Sequence, residues 1–317
     1  MKKILTVTFN PALDKSCTTQ AIEPERKLRC DDVQRDPGGG GINVARAVRR
    51  LGGEATALWA CGGATGSVMS GRLDEEQVAH EPFQIAEETR ENLVVHDTST
   101  DREFRFTLPG ARLSEREIDG LCDRVMDLHA DFVVASGSLP PGAPDDTFAR
   151  LAKMLSERDD GRFIVDTSGG PLQAAAEAGV WLLKPNHHEL CQLAGCDLED
   201  DAAIRDAARH LLESGRAAVV LVTLGSAGAL LVTAERVERI AAPTVPIRSR
   251  VGAGDSTVAG VVLALARERD LAEAARQGVA AGAAAVMTEG TELCRGDDAN
   301  RLYRAMLEEH ESAETTA

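Results

Sequence analysis

At 317 residues, with 43% hydrophobic and 27% charged side chains, the chain can bury a sizeable core, either as two average domains or as one large α/β unit. A formal charge of −16 argues against nucleic acid and anionic membrane surfaces, which both select a basic face, and its plain meaning is solubility. Seven scattered cysteines without a C-x-x-C pair, no signal-peptide pattern at Met1 and no run of ~18 apolar residues predict a reduced, cytoplasmic setting with no membrane span.

In chain order, Ile4 to Phe9 reads as an opening strand that stops at Asn10-Pro11. Apolar positions 44, 47, 48 and 51 have helical spacing within 42–51, and Ala55 to Cys61 is the next strand. From Phe132 the pattern is regular: strand 132–135, helix 145–158, strand 163–166, helix 171–178 and strand 181–184. Helix 201–214 and strands 218–224 and 229–233 follow. Such alternation, with few aromatics, predicts a mainly parallel sheet with helices on both faces. Residues 12–36 and 88–108 break the rhythm with polar, alternating segments, expected to form short strands set apart as a lid; an edge extension of the main sheet is the plainer alternative. The stretch 255–310 is expected to be helical, with a frayed tail at 311–317.

Four segments could carry chemistry. In Val251-Gly-Ala-Gly-Asp255 a glycine turn leads into an apolar helix. Backbone N–H groups of Gly252, Ala253 and Gly254 at a positive helix end suit an anion. Asp255 beside them can accept a proton from an attacking hydroxyl while charge builds on a transferred phosphoryl group; otherwise it is a helix cap. In Asp36-Pro-Gly-Gly-Gly-Gly-Ile-Asn43, four glycines precede a helix, but Asn43 occupies the third-glycine position of a dinucleotide fingerprint, and no Walker Gly-Lys-Ser/Thr follows. That uncharged loop suits sugar hydroxyls. In Lys184-Pro-Asn186-His-His-Glu189, Asn186 and Glu189 share a helical face and can hold Mg²⁺ through waters, whereas adjacent histidines point apart and make a poor zinc site. The turn Thr223-Leu-Gly225-Ser-Ala-Gly228 is an ordinary hairpin signal that could flank a nucleotide.

Together, and in this order, these segments resemble the ribokinase-like (pfkB) sugar-kinase family, most of all its minor-type bacterial 6-phosphofructokinases. Lys27-Leu-Arg-Cys30, Phe104-Arg-Phe106, Pro109-Gly110, Ser136-Gly-Ser-Leu-Pro-Pro-Gly142, Gly290-Thr291 and Leu293-Cys294 match as well, over residues 1–307. The resemblance implies one three-layer α/β/α sandwich over 1–310 with a mainly parallel sheet and a β lid that makes a homodimer. It further implies transfer of the ATP γ-phosphate to the C1 hydroxyl of D-fructose 6-phosphate. Asp255 would be the base, with Gly252, Ala253 and Gly254 as the anion hole. Asp14, Gly38, Gly39, Asn43, Arg90 and Ser138 would hold the sugar phosphate, joined by Lys27 from a partner subunit. Lys184, Asn186, Thr223, Gly225 and Gly228 would serve ATP, Asn186 and Glu189 Mg²⁺, and Ser249, Val251, Ala285 and Gly290 a monovalent cation such as K⁺. Thr288, Glu292 and His188 depart from the family's pattern and touch cation binding and regulation. Lys27, Arg29, Arg90 and Arg105 are local cations in an acidic chain, as a phosphate-bearing ligand requires. 1-Phosphofructokinase and tagatose-6-phosphate kinase use the same machinery and stand as alternatives, as does a catalytically silent sugar-phosphate sensor.

Overall fold

The structure is a computed structural model that describes the backbone of residues 1–157 and 161–316 and side chains as far as Glu309. The amino-terminal half comprises β1 (Ile4–Thr8), β2 (Ala12–Thr19), β3 (Asp31–Gly38), α1 (Gly40–Arg50), β4 (Thr56–Cys61), α2 (Gly63–Glu75) and β5 (His80–Gln84). It continues with β6 (Arg90–Asp97), β7 (Arg102–Thr107), α3 (Glu115–Asp127), β8 (Phe132–Ser136) and α4 (Thr147–Glu157). The remainder comprises β9 (Arg162–Asp166), α5 (Gly169–Ala178), β10 (Val180–Leu183), α6 (His187–Ala194), α7 (Asp201–Glu213) and β11 (Ala217–Thr223). Last come β12 (Ala229–Val232), β13 (Val237–Ile240), α8 (Ala253–Ala266), α9 (Leu271–Val286) and α10 (Gly296–Thr316). The tail expected to fray, 311–317, falls where side chains lie outside the described residues.

The strands form two sheets. The large one has the order β13-β12-β11-β10-β9-β8-β1-β4-β5, parallel except for the β11–β12–β13 edge. Alternate residues face opposite ways and build two separate cores. Ile4, Trp59, Phe132, Val134, Ile164 and Leu221 pack against α1, α8 and α9. Leu5, Val7, Val133, Phe163, Val165 and Val220 pack against α3, α4, α5 and α7. The result is the three-layer α/β/α sandwich that the alternation predicts. Helix α8 is buried along all of Ser256–Ala266, so it reads as uniformly apolar instead of amphipathic.

The small sheet, β3-β2-β6-β7, is built from the two segments that break the rhythm. Its strands are not an extension of the large sheet. One face, with Ser16, Gln34, Val94 and Arg105, lines a cleft of about 1300 Å³ whose other wall is 247–250 and 289–292. The other face leaves Val33, Leu93, Phe104 and Phe106 exposed.

Chain order runs outward from β1 in both directions, to β4 and to β8, which makes the carboxyl ends of β1 and β8 the switch point of the sheet. The start of α1 sits directly on it. A Cβ on Gly40 would lie 2.4 Å from Ser136 Oγ, and one on Gly41 would lie 2.6 Å from Val7 O and Thr8 Oγ1. Only glycine lets the helix start touch the strand ends this closely. The approach is secured by Arg46, 3% exposed, which donates to Glu76 Oε1 and Oε2 at 2.6 and 2.7 Å and to Pro37 O at 2.7 Å. Gly41→Ala should therefore lower unfolding stability by about 1–3 kcal/mol through overpacking against backbone that cannot yield. Urea denaturation checks this, and an unchanged midpoint would show the helix start is not in contact.

Candidate active site

The carboxyl ends of β1, β8, β9, β10 and β11 supply one cluster of polar side chains, and the turn before α8 closes over it. Gly252 adopts φ 72°, opening the turn, and α8 begins at Ala253. Asp255 is thus the third helical residue, not the cap, and its carboxylate turns away from the helix. Oδ2 accepts from Asn43 Nδ2 at 3.0 Å, and Oδ1 accepts from Ser136 Oγ at 3.3 Å. Burial pushes its pKa up to about 6, with the nearby Asp166 charge adding to the rise; Asn43, Lys184 and Ser136 oppose it.

Beside it, Lys184 Nζ pairs with Asp166 Oδ1 at 3.0 Å, with side chains 6% and 14% exposed. Burial works against the Lys184 charge, yet Asp166, with Glu189 and Asp255 adding to it, outweighs that cost and holds the ammonium above its ordinary pKa. The pair lies against the glycine turn: a Cβ on Gly254 would be 3.7 Å from Lys184 Nζ and 3.9 Å from Asp166 Oδ2. Backbone N–H groups and one fixed ammonium thus surround a space next to a carboxylate, which is an arrangement for an anion and a proton acceptor together.

Asn186 and Glu189 are nearby but engaged with each other. Asn186 Oδ1 accepts from Glu189 N at 2.9 Å and Glu189 Oε2 accepts from Asn186 N at 2.8 Å, a capping box that starts α6. The second Glu189 oxygen is not spent there, so the hard-oxygen donor set fits a Mg²⁺ held through its waters. His187 binds Leu198 O at 2.9 Å and His188 approaches Gln192 at 3.1 Å, so the histidines do point apart. Thr223 ends β11 and bridges to Asn186; Gly225 and Gly228 shape the hairpin that follows.

On the other side of Asn43, Asp14 accepts from Asn92 Nδ2 at 2.8 Å, and burial raises its pKa against the pull of Asn92 and Arg90. A Cβ on Gly38 would lie 2.2 Å from Asp14 Oδ2, and Gly39 caps α1 at φ 113°. Among the described residues Arg90 donates only to carbonyls, those of Asn10, Pro11 and Leu108 at 3.2–3.3 Å, and burial lowers its pKa. Ser138 Oγ accepts from Asn10 Nδ2 at 3.0 Å. Of Lys27, Arg29, Arg90 and Arg105, only Arg90 points to this cluster. Arg105 pairs with Glu103 at 2.9 Å, whereas Lys27 and Arg29 are exposed in the β2–β3 connection.

Ser249, Val251 and Gly290 are drawn together through Ser249 Oγ, which donates to Gly290 O at 2.7 Å and accepts from Val251 N at 3.2 Å. Ala285 O accepts from Thr288 Oγ1 at 2.7 Å. Ala285 O also accepts from Thr288 N at 3.2 Å, whereas Gly290 O keeps a lone pair, and a neutral oxygen donor of this kind fits a monovalent cation. Glu292 is turned to Arg295 at 2.9 Å and Arg50 at 3.7 Å. Three further participants escape the sequence reading: Asp166, Ser136 as a partner of Asp255, and Asn92 as a partner of Asp14. Each is a polar residue at a strand end or in the small sheet, and Ser136 alone has a positive-φ glycine directly after it, Gly137; the position of Asp166 as the last residue of an apolar strand was the available signal.

A pfkB family carbohydrate kinase model matches residues 7–297. The ATP-dependent 6-phosphofructokinase isozyme 2 of Escherichia coli is 42% identical over 305 residues, covering 96% of this chain and 98% of its own. A 1-phosphofructokinase of Xanthomonas campestris is 35% identical over 267 residues, 82% of this chain and 83% of its own. The crystal structure of phosphofructokinase-2 from Escherichia coli in complex with potassium superposes with a TM-score of 0.92 at 42% identity, covering 96% of this chain and 99% of that one.

A carboxyl that titrates near about 6 instead of near 4 loses at most about 3 kcal/mol of native-state stability once ionised, because the folded state holds the proton more tightly than the unfolded one. That stability is present below pH 4 and is lost as pH rises through about 6. Asp255→Asn should accordingly melt higher than the parent at pH 8, with the difference vanishing toward pH 4. Differential scanning calorimetry across that range checks the sign, and a lower melting point at pH 8 would show that the carboxylate is not strained by burial.

Proposed function

The chain belongs to the pfkB family of carbohydrate kinases, and on that footing we propose that it is an ATP-dependent 6-phosphofructokinase, converting D-fructose 6-phosphate to fructose 1,6-bisphosphate. The observation that carries the reading is the Asp255 carboxylate, set between Asn43 and Ser136 at the head of the Gly252–Gly254 turn. A base that titrates near about 6 is ionised at neutral pH yet basic enough to take the C1 hydroxyl proton as the γ-phosphate arrives. N–H groups of Gly252, Ala253 and Gly254 meet the charge on the transferred group, and Lys184 balances the ATP phosphates. Bound Mg²⁺, held through water by Asn186 and Glu189, would neutralise phosphate charge. Asp14, Asn43, Ser138 and the glycine segment 38–39 suit the sugar hydroxyls, and Arg90, with no carboxylate bonded to it, suits the 6-phosphate. Thr223, Gly225 and Gly228 take the nucleotide, and K⁺ is the ion for Ser249, Val251, Ala285 and Gly290. Higher identity to a 6-phosphofructokinase than to a 1-phosphofructokinase supports the choice of sugar.

Turnover should be greatest with fructose 6-phosphate among fructose 6-phosphate, fructose 1-phosphate and tagatose 6-phosphate. A kcat/KM about a hundredfold below that of a competitor would overturn the choice. The rate should fall below about pH 6 as Asp255 gains a proton, and Asp255→Asn should lose roughly three orders of magnitude in kcat with MgATP binding retained. Retained turnover in that variant would remove the base from the mechanism and favour a silent sensor.

We also read the chain as one catalytic unit with the small sheet as its lid, paired face to face with a second copy. Val33, Leu93, Phe104 and Phe106 form the apolar face available for this, and Lys27, exposed in the same sheet's β2–β3 connection, would reach the partner's sugar phosphate. Phe106→Glu should convert a dimer to a monomer in analytical ultracentrifugation and raise KM for fructose 6-phosphate about tenfold or more. A monomeric variant with the parent's KM would show that no partner residue completes the site.

A further inference from the structure

Lys184 is rooted: its backbone N–H donates to Val165 O at 3.2 Å at the end of β10, and only the ammonium is free to choose partners. Three carboxylates act on it, those of Asp166, Glu189 and Asp255. Glu189 gives one oxygen to the Asn186 N–H at 2.8 Å and keeps the other, and the Asp166 contact is 3.0 Å. Asp255, at the head of the same turn, receives only the neutral donors Asn43 and Ser136. Charged groups reach it from the ends of β9 and β10, as Asp166 and Lys184 respectively.

We propose that Asp166 is a positioning residue of the transfer site: its carboxylate holds the Lys184 ammonium against the Gly252–Gly254 turn and keeps that cation off Asp255. The inference rests on the kinase reading and deepens it. Without Asp166, the ammonium is still buried and must find another anion. Asp255, at the head of the turn beside the ammonium, competes for it with the second Glu189 oxygen. An Asp255–Lys184 pair would weaken the base, since a cation at contact favours the ionised carboxylate, and would withdraw the ammonium from the ATP phosphates. Asp166 thus gives two opposite charges two separate tasks a few ångströms apart. Loss of the Asp166 charge by itself also lowers the pKa of Asp255, so the positioning role is distinguished by KM for MgATP and by Asp166→Glu, which keeps the charge and displaces the ammonium.

The test compares the parent enzyme, Asp166→Asn and the double variant Asp166→Asn with Lys184→Met. Two readouts are used: kcat/KM against pH, and a carbon-13 carboxyl titration of Asp255 in aspartate-labelled protein, which needs no turnover. In Asp166→Asn the acid limb and the NMR titration should both move down by about one pH unit or more, and KM for MgATP should rise about tenfold. In the double variant, with no cation left to pair, the titration should return toward that of the parent. An Asp255 titration that stays or rises in Asp166→Asn overturns the proposal, as does a double variant that keeps the lowered value. Asp166→Glu keeps the buried charges balanced and serves if the asparagine variant does not fold. It displaces the ammonium by one methylene and should raise KM for MgATP several-fold, and a parental KM there also overturns the proposal. If the parent itself phosphorylates no sugar phosphate, the kinase reading fails, while an Asp255 titration that stays or rises in Asp166→Asn still overturns the role of Asp166.

Discussion

A carboxylate held away from bulk water is the constraint around which this molecule is organised. Asp255 must be solvated by the protein itself, and the groups that do so come from distant parts of the chain: Asn43 on α1 and Ser136 at the end of β8. Neither can arrive unless α1 starts on the strand ends, which requires Gly40 and Gly41, and unless the chain before it is anchored by Arg46. The switch point between β1 and β8 supplies the gap into which all three fit. The two cores and the buried helix α8 hold these parts in register, so packing far from the cluster sets the basicity of one oxygen pair.

Much of this was legible because the physics that specifies it is local. Apolar runs announced the strands, glycine turns announced the starts of α1 and α8, and polar alternation separated the small sheet from the large one. What escaped notice had weak or misleading local signals. Helix α2 opens with Gly-Ala-Thr-Gly-Ser and has little amphipathic contrast, and β5 is a polar edge strand containing Pro82. Helix α3 did carry signals, the Ser114–Glu117 capping box and the apolar stripe Ile118, Leu121, Cys122 and Val125.

At the site, sequence spacing resolved residue types better than partners. Asn186 and Glu189 were legible as an oxygen pair, but their reciprocal hydrogen bonds are a matter of backbone geometry at a helix start. Asp255 could have been a cap, and what excludes that is the direction of its carboxylate, which no pattern records. Asp166 was hidden for a different reason: its importance comes from Lys184, a residue eighteen positions later on the next strand, and pairing across parallel strands leaves no periodic trace.

The small sheet has a further consequence for how copies of the chain can meet. Its outer strand β7 alternates Arg102, Glu103 and Arg105 with Phe104 and Phe106, so the rim that could accept another strand is dense with charge while the flat side is greasy. Strand-by-strand growth, the route to fibres, is disfavoured at such a rim, whereas closure of one flat side on another terminates after a single step. The small sheet can therefore expose apolar rings without seeding an endless sheet.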